Sequence, residues 1–100
     1  MKQLTSIVIA GILLGASGSV LAGDAAAGKA KSATCAGCHG PEGISNNPMW
    51  PNLASQKEGY LVKQMKAFRD GTRTDPMMGP MAKPLTDADI DNLAAYFSSL

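Results

Sequence analysis

Two cysteines lie three residues apart in this chain, and a histidine directly follows the second. They form the pentapeptide Cys35-Ala36-Gly37-Cys38-His39. This order matches the attachment site of a c-type haem. Each thiol adds to one vinyl group of the porphyrin, and the short loop between the thiols then lies under the macrocycle and directs the imidazole at the iron. The motif therefore predicts a covalently held haem with His39 as one axial ligand.

Three other uses of these residues fit the sequence less well. A disulfide between Cys35 and Cys38 would close a very small loop and gain little entropy. A structural zinc site needs four protein ligands, whereas the whole chain has two cysteines and one histidine. A thioredoxin-like redox pair expects a βαβ setting, and the sequence has no alternating β pattern. Haem attachment explains the histidine directly after Cys38, and none of the alternatives does.

The first 22 residues have the pattern of a secretory signal peptide. Lys2 supplies the positive charge, an apolar core occupies residues 7–14, and Val20-Leu21-Ala22 offers small residues to the peptidase. The apolar run is shorter than the ~20 residues that a spanning helix needs. We therefore expect cleavage after Ala22, export to the periplasm without stable membrane insertion, and a single domain formed by residues 23–100.

The mature chain is small and electrically balanced. Residues 23–100 contain eight Lys or Arg and eight Asp or Glu. This balance gives no indication of nucleic acid or an anionic membrane as a partner. A chain of this size buries a small core and usually needs a cross-link or a cofactor. A covalently attached haem would supply a large apolar surface for side chains to pack on.

Periodicity and capping residues predict three helices, which cover Asp24 to about Thr34, Ser55 to Gly71, and Thr86 to the C-terminus. The second and third open on capping-box patterns, at Ser55-Gln56-Lys57-Glu58 and at Thr86 with Asp89. The second carries an apolar stripe of Leu61, Met65 and Phe68, which predicts a face turned to the core. Met65 is therefore expected in the core rather than at the iron.

Two stretches rich in proline and glycine separate these helices. Residues 40–52 are predicted to be irregular, and their Trp50 is a candidate for packing against the haem. Residues 72–85 contain three prolines, which exclude a regular helix or a central strand. The same stretch holds Met77, Met78 and Met81. Because a thioether is a soft iron ligand and His/Met is a known axial pair of haem proteins, one of the three is expected to bind the iron opposite His39.

Together these motifs resemble the class I c-type cytochromes over residues 24–100. The resemblance rests on Cys35-Ala36-Gly37-Cys38-His39-Gly40, on the methionine-bearing loop, and on the closing helix with Leu93-Ala94-Ala95-Tyr96-Phe97. Three further stretches are similar to the short bacterial cytochromes c-553 and to one half of the two-haem cytochrome c4: residues 51–56, 60–65 and 70–74.

The resemblance implies an all-α cytochrome c fold of three to five helices around one covalently attached haem c. The first and last helices of such a fold cross closely, which would explain Gly28. The resemblance implies that Cys35 and Cys38 form the two thioethers. It implies His39 and Met78 as the iron ligands, with Met81 and then Met77 as alternatives to Met78. It also implies that the carbonyl of Pro51 accepts a hydrogen bond from the second ring nitrogen of His39.

This coordination implies an electron carrier rather than an enzyme, because two protein ligands leave no position for a substrate. The resemblance implies a periplasmic monomer that passes single electrons from a quinol-oxidising complex to a terminal oxidase or reductase. Weak docking of redox partners is expected at the haem edge, with Lys63, Lys66 and Lys83 as candidates for the surrounding charge. Two alternatives stay open: a haem enzyme or gas sensor with an open sixth position, and a subunit of a larger oxidoreductase.

Overall fold

The computed structural model describes residues 23–100, so the signal-peptide prediction for residues 1–22 lies outside it. Every regular element of the described residues is a helix: α1 (Ala25–Lys31), α2 (Ala33–His39), α3 (Glu58–Asp70), α4 (Met78–Ala82) and α5 (Asp87–Ser98). None of these five is long and apolar enough to cross a membrane. The prediction of an all-α domain with three to five helices is confirmed.

The core forms where α5 packs against α1 and α3. Its central cluster consists of Leu61 from α3 and three α5 residues, Leu93, Ala94 and Phe97. The spacing of the α5 residues brings them to one side of the helix, as their periodicity predicts. Apolar side chains from several other segments border this cluster and stay partly exposed: Cys35, Leu53, Val62, Met65 and Leu85. Met65 therefore lies at the border of the core, and its exclusion as an iron ligand stays a prediction.

Helix α5 crosses α1 at Gly28, which is buried. A Cβ atom added to Gly28 would lie 1.9 Å from the carbonyl oxygen of Asn92 and 2.8 Å from Cβ of Tyr96. The two backbones are thus in direct contact, and only a hydrogen atom fits between them. Beside this contact, the Asp24 N–H donates to the Asn92 side chain at 2.8 Å, which helps to set the register of the two helices. The close crossing implied by the resemblance is observed.

Three predicted helix boundaries are confirmed by their capping contacts. The carboxylate of Asp24 accepts the first free N–H groups of α1. Thr86 and Asp89 form a reciprocal capping box at the start of α5, with both hydrogen bonds at 3.0 Å. Gly71 ends α3 in the left-handed conformation, with φ of 84°. These contacts are local in sequence, and so the sequence pattern predicts them well.

The helix predicted from Asp24 to about Thr34 is confirmed apart from a break at Ser32, whereas the loop expected at the cysteines is wrong. Helix α1 ends at Lys31, and α2 contains the whole pentapeptide. Between them, the Ser32 hydroxyl donates to the Lys29 carbonyl at 2.7 Å, and the Ser32 carbonyl accepts the N–H of Cys35 at 2.8 Å. The second contact is an i→i+3 bond, so the chain tightens at Ser32 and separates two helices.

The predicted capping box at Ser55-Gln56-Lys57-Glu58 is also wrong. Lys57 is the N-cap of α3, and no side chain caps this helix end. Ser55 instead has φ of 65° and contacts the end of α5. Its N–H donates to the Phe97 carbonyl at 3.0 Å, and its hydroxyl donates to the Leu100 carbonyl. Ser55 therefore ties this loop to the C-terminus, a tertiary role that a local pattern does not reveal.

The exclusion of a helix from residues 72–85 is wrong for the five residues of α4. The carboxylate of Asp75 accepts the N–H groups of Met77 and Met78, each at 2.8 Å, and its carbonyl accepts the N–H of Gly79 at 3.0 Å. The next residue is Pro80, which has no N–H. Every donor of the first turn is therefore satisfied, and the proline is tolerated there.

We expect Gly28→Ala to lower the free energy of unfolding by about 1–3 kcal/mol, because its methyl group would push α1 away from α5. The matched control is Gly59→Ala in α3, where an added Cβ meets no atom within 4 Å. This control should raise the free energy of unfolding by up to ~1 kcal/mol, because alanine has a higher helix propensity than glycine. Thermal or urea unfolding of the holoprotein measures both values. Equal stabilities for the two variants would contradict the close crossing.

Candidate haem site

His39 is the last residue of α2, and its side chain is nearly fully buried. Its Nδ1 lies 2.7 Å from the carbonyl oxygen of Pro51. A carbonyl oxygen only accepts, so Nδ1 carries the hydrogen and donates it, and Nε2 of the neutral ring keeps its lone pair. Among residues 23–100, no protein atom hydrogen-bonds to Nε2. The imidazole is thus held in the tautomer and orientation that suit a metal ligand.

The loop after α2 brings Pro51 back to His39. Gly40 ends the helix with φ of 87°, a backbone conformation that residues with a Cβ rarely adopt. Further along, the carbonyl of Gly43 accepts the N–H of Leu53 at 2.8 Å, which closes the loop on itself. Glycine at position 40 and this closing bond are therefore the local causes of the contact between His39 and Pro51.

Cys35 and Cys38 lie on one side of α2, because residues three apart on a helix are neighbours. Both are free thiols and partly buried. Burial raises the pKa of the Cys35 thiol, and its contact with the Thr34 hydroxyl at 3.9 Å opposes that rise. Cys35 borders the apolar core cluster. The helical form of the motif thus presents both thiols together, with one of them next to the core.

Trp50 lies in the loop between α2 and α3 and is half-buried. It lines a small cavity of about 130 Å³ together with Cys38 and Pro41. The backbone N–H of Trp50 donates to the carbonyl of Asn47 at 3.0 Å, which fixes the turn in which this residue lies. The indole is therefore beside the cysteine-bearing helix, and its packing against a haem stays a prediction.

The three candidate methionines differ in exposure. Met77 is 54% exposed and Met81 is 45% exposed, whereas Met78 is partly buried. Met78 opens α4, which packs against α3. Burial thus favours Met78 over its two neighbours, and the choice of ligand stays a prediction.

A model of the cytochrome c family matches residues 25–100. The chain belongs to the cytochrome c family. It is 51% identical over 78 residues to cytochrome c4 of Pseudomonas aeruginosa, which covers 78% of this chain and 39% of that protein. It is 49% identical over 81 residues to cytochrome c-554(548) of Halomonas halodenitrificans, which covers 78% of this chain and 98% of that relative.

The fold of this cytochrome is also that of a solved relative. Reduced recombinant cytochrome c4 from Pseudomonas stutzeri superposes with a TM-score of 0.74 at 43% sequence identity. The match covers 77% of this chain and 45% of the cytochrome c4 chain. The domain therefore has the cytochrome c fold, and it corresponds to about one half of a cytochrome c4.

The cofactor of this cytochrome is covalently bound haem c, and the described residues fit it. Cys35 and Cys38 occupy the expected attachment positions, and His39 offers a free Nε2 lone pair. Four apolar side chains pack on the same core cluster as Cys35 and, like it, stay partly exposed: Leu53, Val62, Met65 and Leu85. A haem attached to Cys35 would cover apolar surface of this kind, and that burial would favour its binding.

Two polar residues that the sequence analysis missed, Asp75 and Arg69, hold the ends of the stretch that carries the candidate methionines. Asp75 caps the turn that leads into α4, and the signal was present, since Asp followed by Pro76 is a common helix start. Arg69 contacts Leu85 and Asp87, which lie 16 and 18 residues further along the chain. No local pattern reports such a contact.

The hydrogen bonds from Met78 N–H and then Met77 N–H lower the pKa of the Asp75 carboxyl below its ordinary 3.8. The folded protein therefore binds this proton less readily than the unfolded chain. The carboxylate stabilises the turn fully above pH of about 3.8, and this contribution is lost as the pH falls through the lower folded-state pKa.

We expect Asp75→Ala to expose the amides of Met77 and Met78, because both lose their acceptor. Hydrogen exchange of the holoprotein should show protection at these amides falling on the order of ten-fold, the size expected from a lost helix cap. The matched control, Asp75→Asn, keeps an acceptor oxygen and should retain most of the protection without its dependence on acid. Unchanged exchange at both amides in Asp75→Ala would contradict the capping role.

Proposed function

We propose that this cytochrome is a soluble, periplasmic monomer that carries single electrons on one haem c. The proposal assigns residues 1–22 to a cleaved signal peptide and residues 23–100 to the mature domain. Relatives named cytochrome c4 and cytochrome c-554(548) support the carrier role. The observation that carries the proposal is the hydrogen bond from Nδ1 of His39 to the carbonyl of Pro51.

That hydrogen bond gives His39 the properties of a permanent iron ligand. It holds the ring in one orientation, selects the tautomer of the neutral ring whose lone pair is on Nε2, and makes that nitrogen a stronger metal ligand. Burial of the side chain shields the ring from water. Cys35 and Cys38 would form the two thioethers from the same helix, so the attachment points and the ligand move as one unit.

Met78 is the ligand that we propose for the opposite side, with Met81 as the alternative. Its partial burial and the capping of its N–H by Asp75 give it a fixed backbone position. When bound, haem c supplies an iron that changes its charge by one electron. His39 and Met78 would both hold this iron, and so the protein would leave it no open position for a substrate.

The same proposal includes redox proteins that give electrons to this cytochrome and take them from it. The electrons would come from a quinol-oxidising complex and pass to a terminal oxidase or reductase through brief docking at the haem edge. The three lysines proposed to surround the docking surface differ in exposure: Lys63 and Lys83 are exposed, and Lys66 is half-buried. Weak contacts of this kind suit a carrier that must dissociate after each transfer.

The test is the reaction of the reduced holoprotein with carbon monoxide. We expect no prompt change in its absorption spectrum, because His39 and Met78 would both bind the iron and carbon monoxide would enter only as fast as the thioether dissociates. A prompt spectral change in the unaltered protein would contradict the carrier role and indicate a gas-binding or catalytic haem. Purification at fixed stoichiometry with other polypeptides would instead indicate a subunit of a larger oxidoreductase.

Replacement of each methionine identifies the ligand. We expect Met78→Leu to make the reduced protein bind carbon monoxide promptly, because it removes the thioether and keeps an apolar side chain of similar volume. The matched controls are Met77→Leu and Met81→Leu, which should react as slowly as the unaltered protein. Prompt binding that appears only in Met81→Leu would transfer the ligand role to Met81 and contradict the assignment of Met78.

A further inference from the structure

Arg69 joins three parts of the chain near the proposed methionine ligand. Its Nη1 donates to Oδ1 of Asp87 at 2.7 Å and to the carbonyl of Leu85 at 3.3 Å, and its Nε donates to Oδ1 of Asp70 at 2.9 Å. Hydrogen bonds to Asp70 and then Asp87 raise the pKa of the guanidinium. The side chain of Arg69 is 20% exposed, so most of it is packed against the protein. It links the last turn of α3 to the start of α5.

The contact with Leu85 lies at the end of the segment that carries all three methionines. This segment begins at Asp75, which caps the turn that leads into α4, and ends at Leu85, one residue before the N-cap of α5. Leu85 also packs against the apolar core cluster. The guanidinium of Arg69 thus holds the C-terminal end of the segment at α3, and Asp75 shapes its N-terminal end.

One side of the segment has few packing contacts of its own. Gly79, Pro80 and Lys83 line an open surface hollow of about 410 Å³ together with Phe68 and Arg69. The buried Ala82 and the packing of α4 on α3 hold the other side of α4. On the side of the hollow, the polar contacts at the two ends of the segment add the further restraint.

We propose that Arg69 is a positioning residue for the axial methionine, holding the segment so that the thioether of Met78 stays on the iron. This inference rests on the proposed function. The guanidinium is suited to the task because its planar donors reach the Leu85 carbonyl and the Asp87 carboxylate from one side chain. A lysine at this position offers one point charge and would satisfy these acceptors less well.

The test compares variants of Arg69 and its two carboxylate partners in the holoprotein. We expect Arg69→Ala to bind carbon monoxide in the reduced state on the order of ten-fold faster than the unaltered protein, the size expected from the loss of a hydrogen bond to a charged group. Arg69→Lys should give an intermediate rate. In the oxidised state, the iron–thioether absorption should disappear at a lower temperature in both variants.

Two isosteric variants separate the contact of Arg69 with Asp87 on α5 from its contact with Asp70 on α3. Asp87→Asn weakens the contact that crosses to α5, and it should accelerate carbon monoxide binding. Asp70→Asn weakens a contact within the same helix end, and it should leave the rate unchanged. Arg73→Ala is a further control, since Arg73 lies 4.4 Å over the Phe68 ring and bonds to Gln64 at 2.6 Å, both on α3.

The outcomes distinguish this inference from the proposed function. Prompt carbon monoxide binding by the unaltered protein would overturn both. If the unaltered protein reacts only slowly, Met78→Leu reacts promptly, and Arg69→Ala reacts as slowly as the unaltered protein, the positioning role is overturned and the carrier role stands. A loss of thioether absorption that coincides with global unfolding in Arg69→Ala, Arg69→Lys and Asp87→Asn would also overturn it, because Arg69 would then stabilise the whole fold only.

Discussion

The packing of α5 against α1 and α3 is the interaction on which the other elements of this domain depend. Leu93, Ala94 and Phe97 supply most of the central cluster, and the contact at Gly28 lets α1 approach α5 at backbone distance. The same cluster receives Cys35 from α2 and Leu85 from the segment after α4. The elements that carry the proposed thioethers and the methionine ligand are therefore anchored to one small core.

Hydrogen bonds to backbone groups then place the candidate ligands on this frame. The carbonyl of Pro51 orients His39, and Asp75 organises the amides of Met77 and Met78. A small domain with a limited core has few apolar contacts available for such fine placement. Directional bonds serve instead, and each depends on a loop that closes correctly. The bound haem c of this family would add the apolar surface that the partly exposed side chains beside the core cluster lack.

Local patterns predicted much of this fold and failed where distant residues intervene. The capping box at Thr86, the N-cap at Asp24 and the stop at Gly71 are contacts within a few residues, and all three are observed. The capping box at Ser55 is not observed, because the N–H and hydroxyl of this residue bond to carbonyls at the C-terminal end of α5 instead. The prolines of residues 72–85 argue against a helix, yet α4 forms there. Asp75 accepts the free N–H groups at its start, and Pro80 has no N–H that would need a partner.

The haem motif, the family and the residues able to serve as ligands can all be read from the order of residues, because covalent attachment and axial ligation require particular side chains at short, fixed spacings. The tertiary structure alone decided that the motif is helical, that Nδ1 of His39 meets the carbonyl of Pro51, and that Arg69 reaches Leu85 and Asp87. These contacts join residues from 12 to 18 positions apart. Their geometry depends on how whole helices pack, and no local spacing records it.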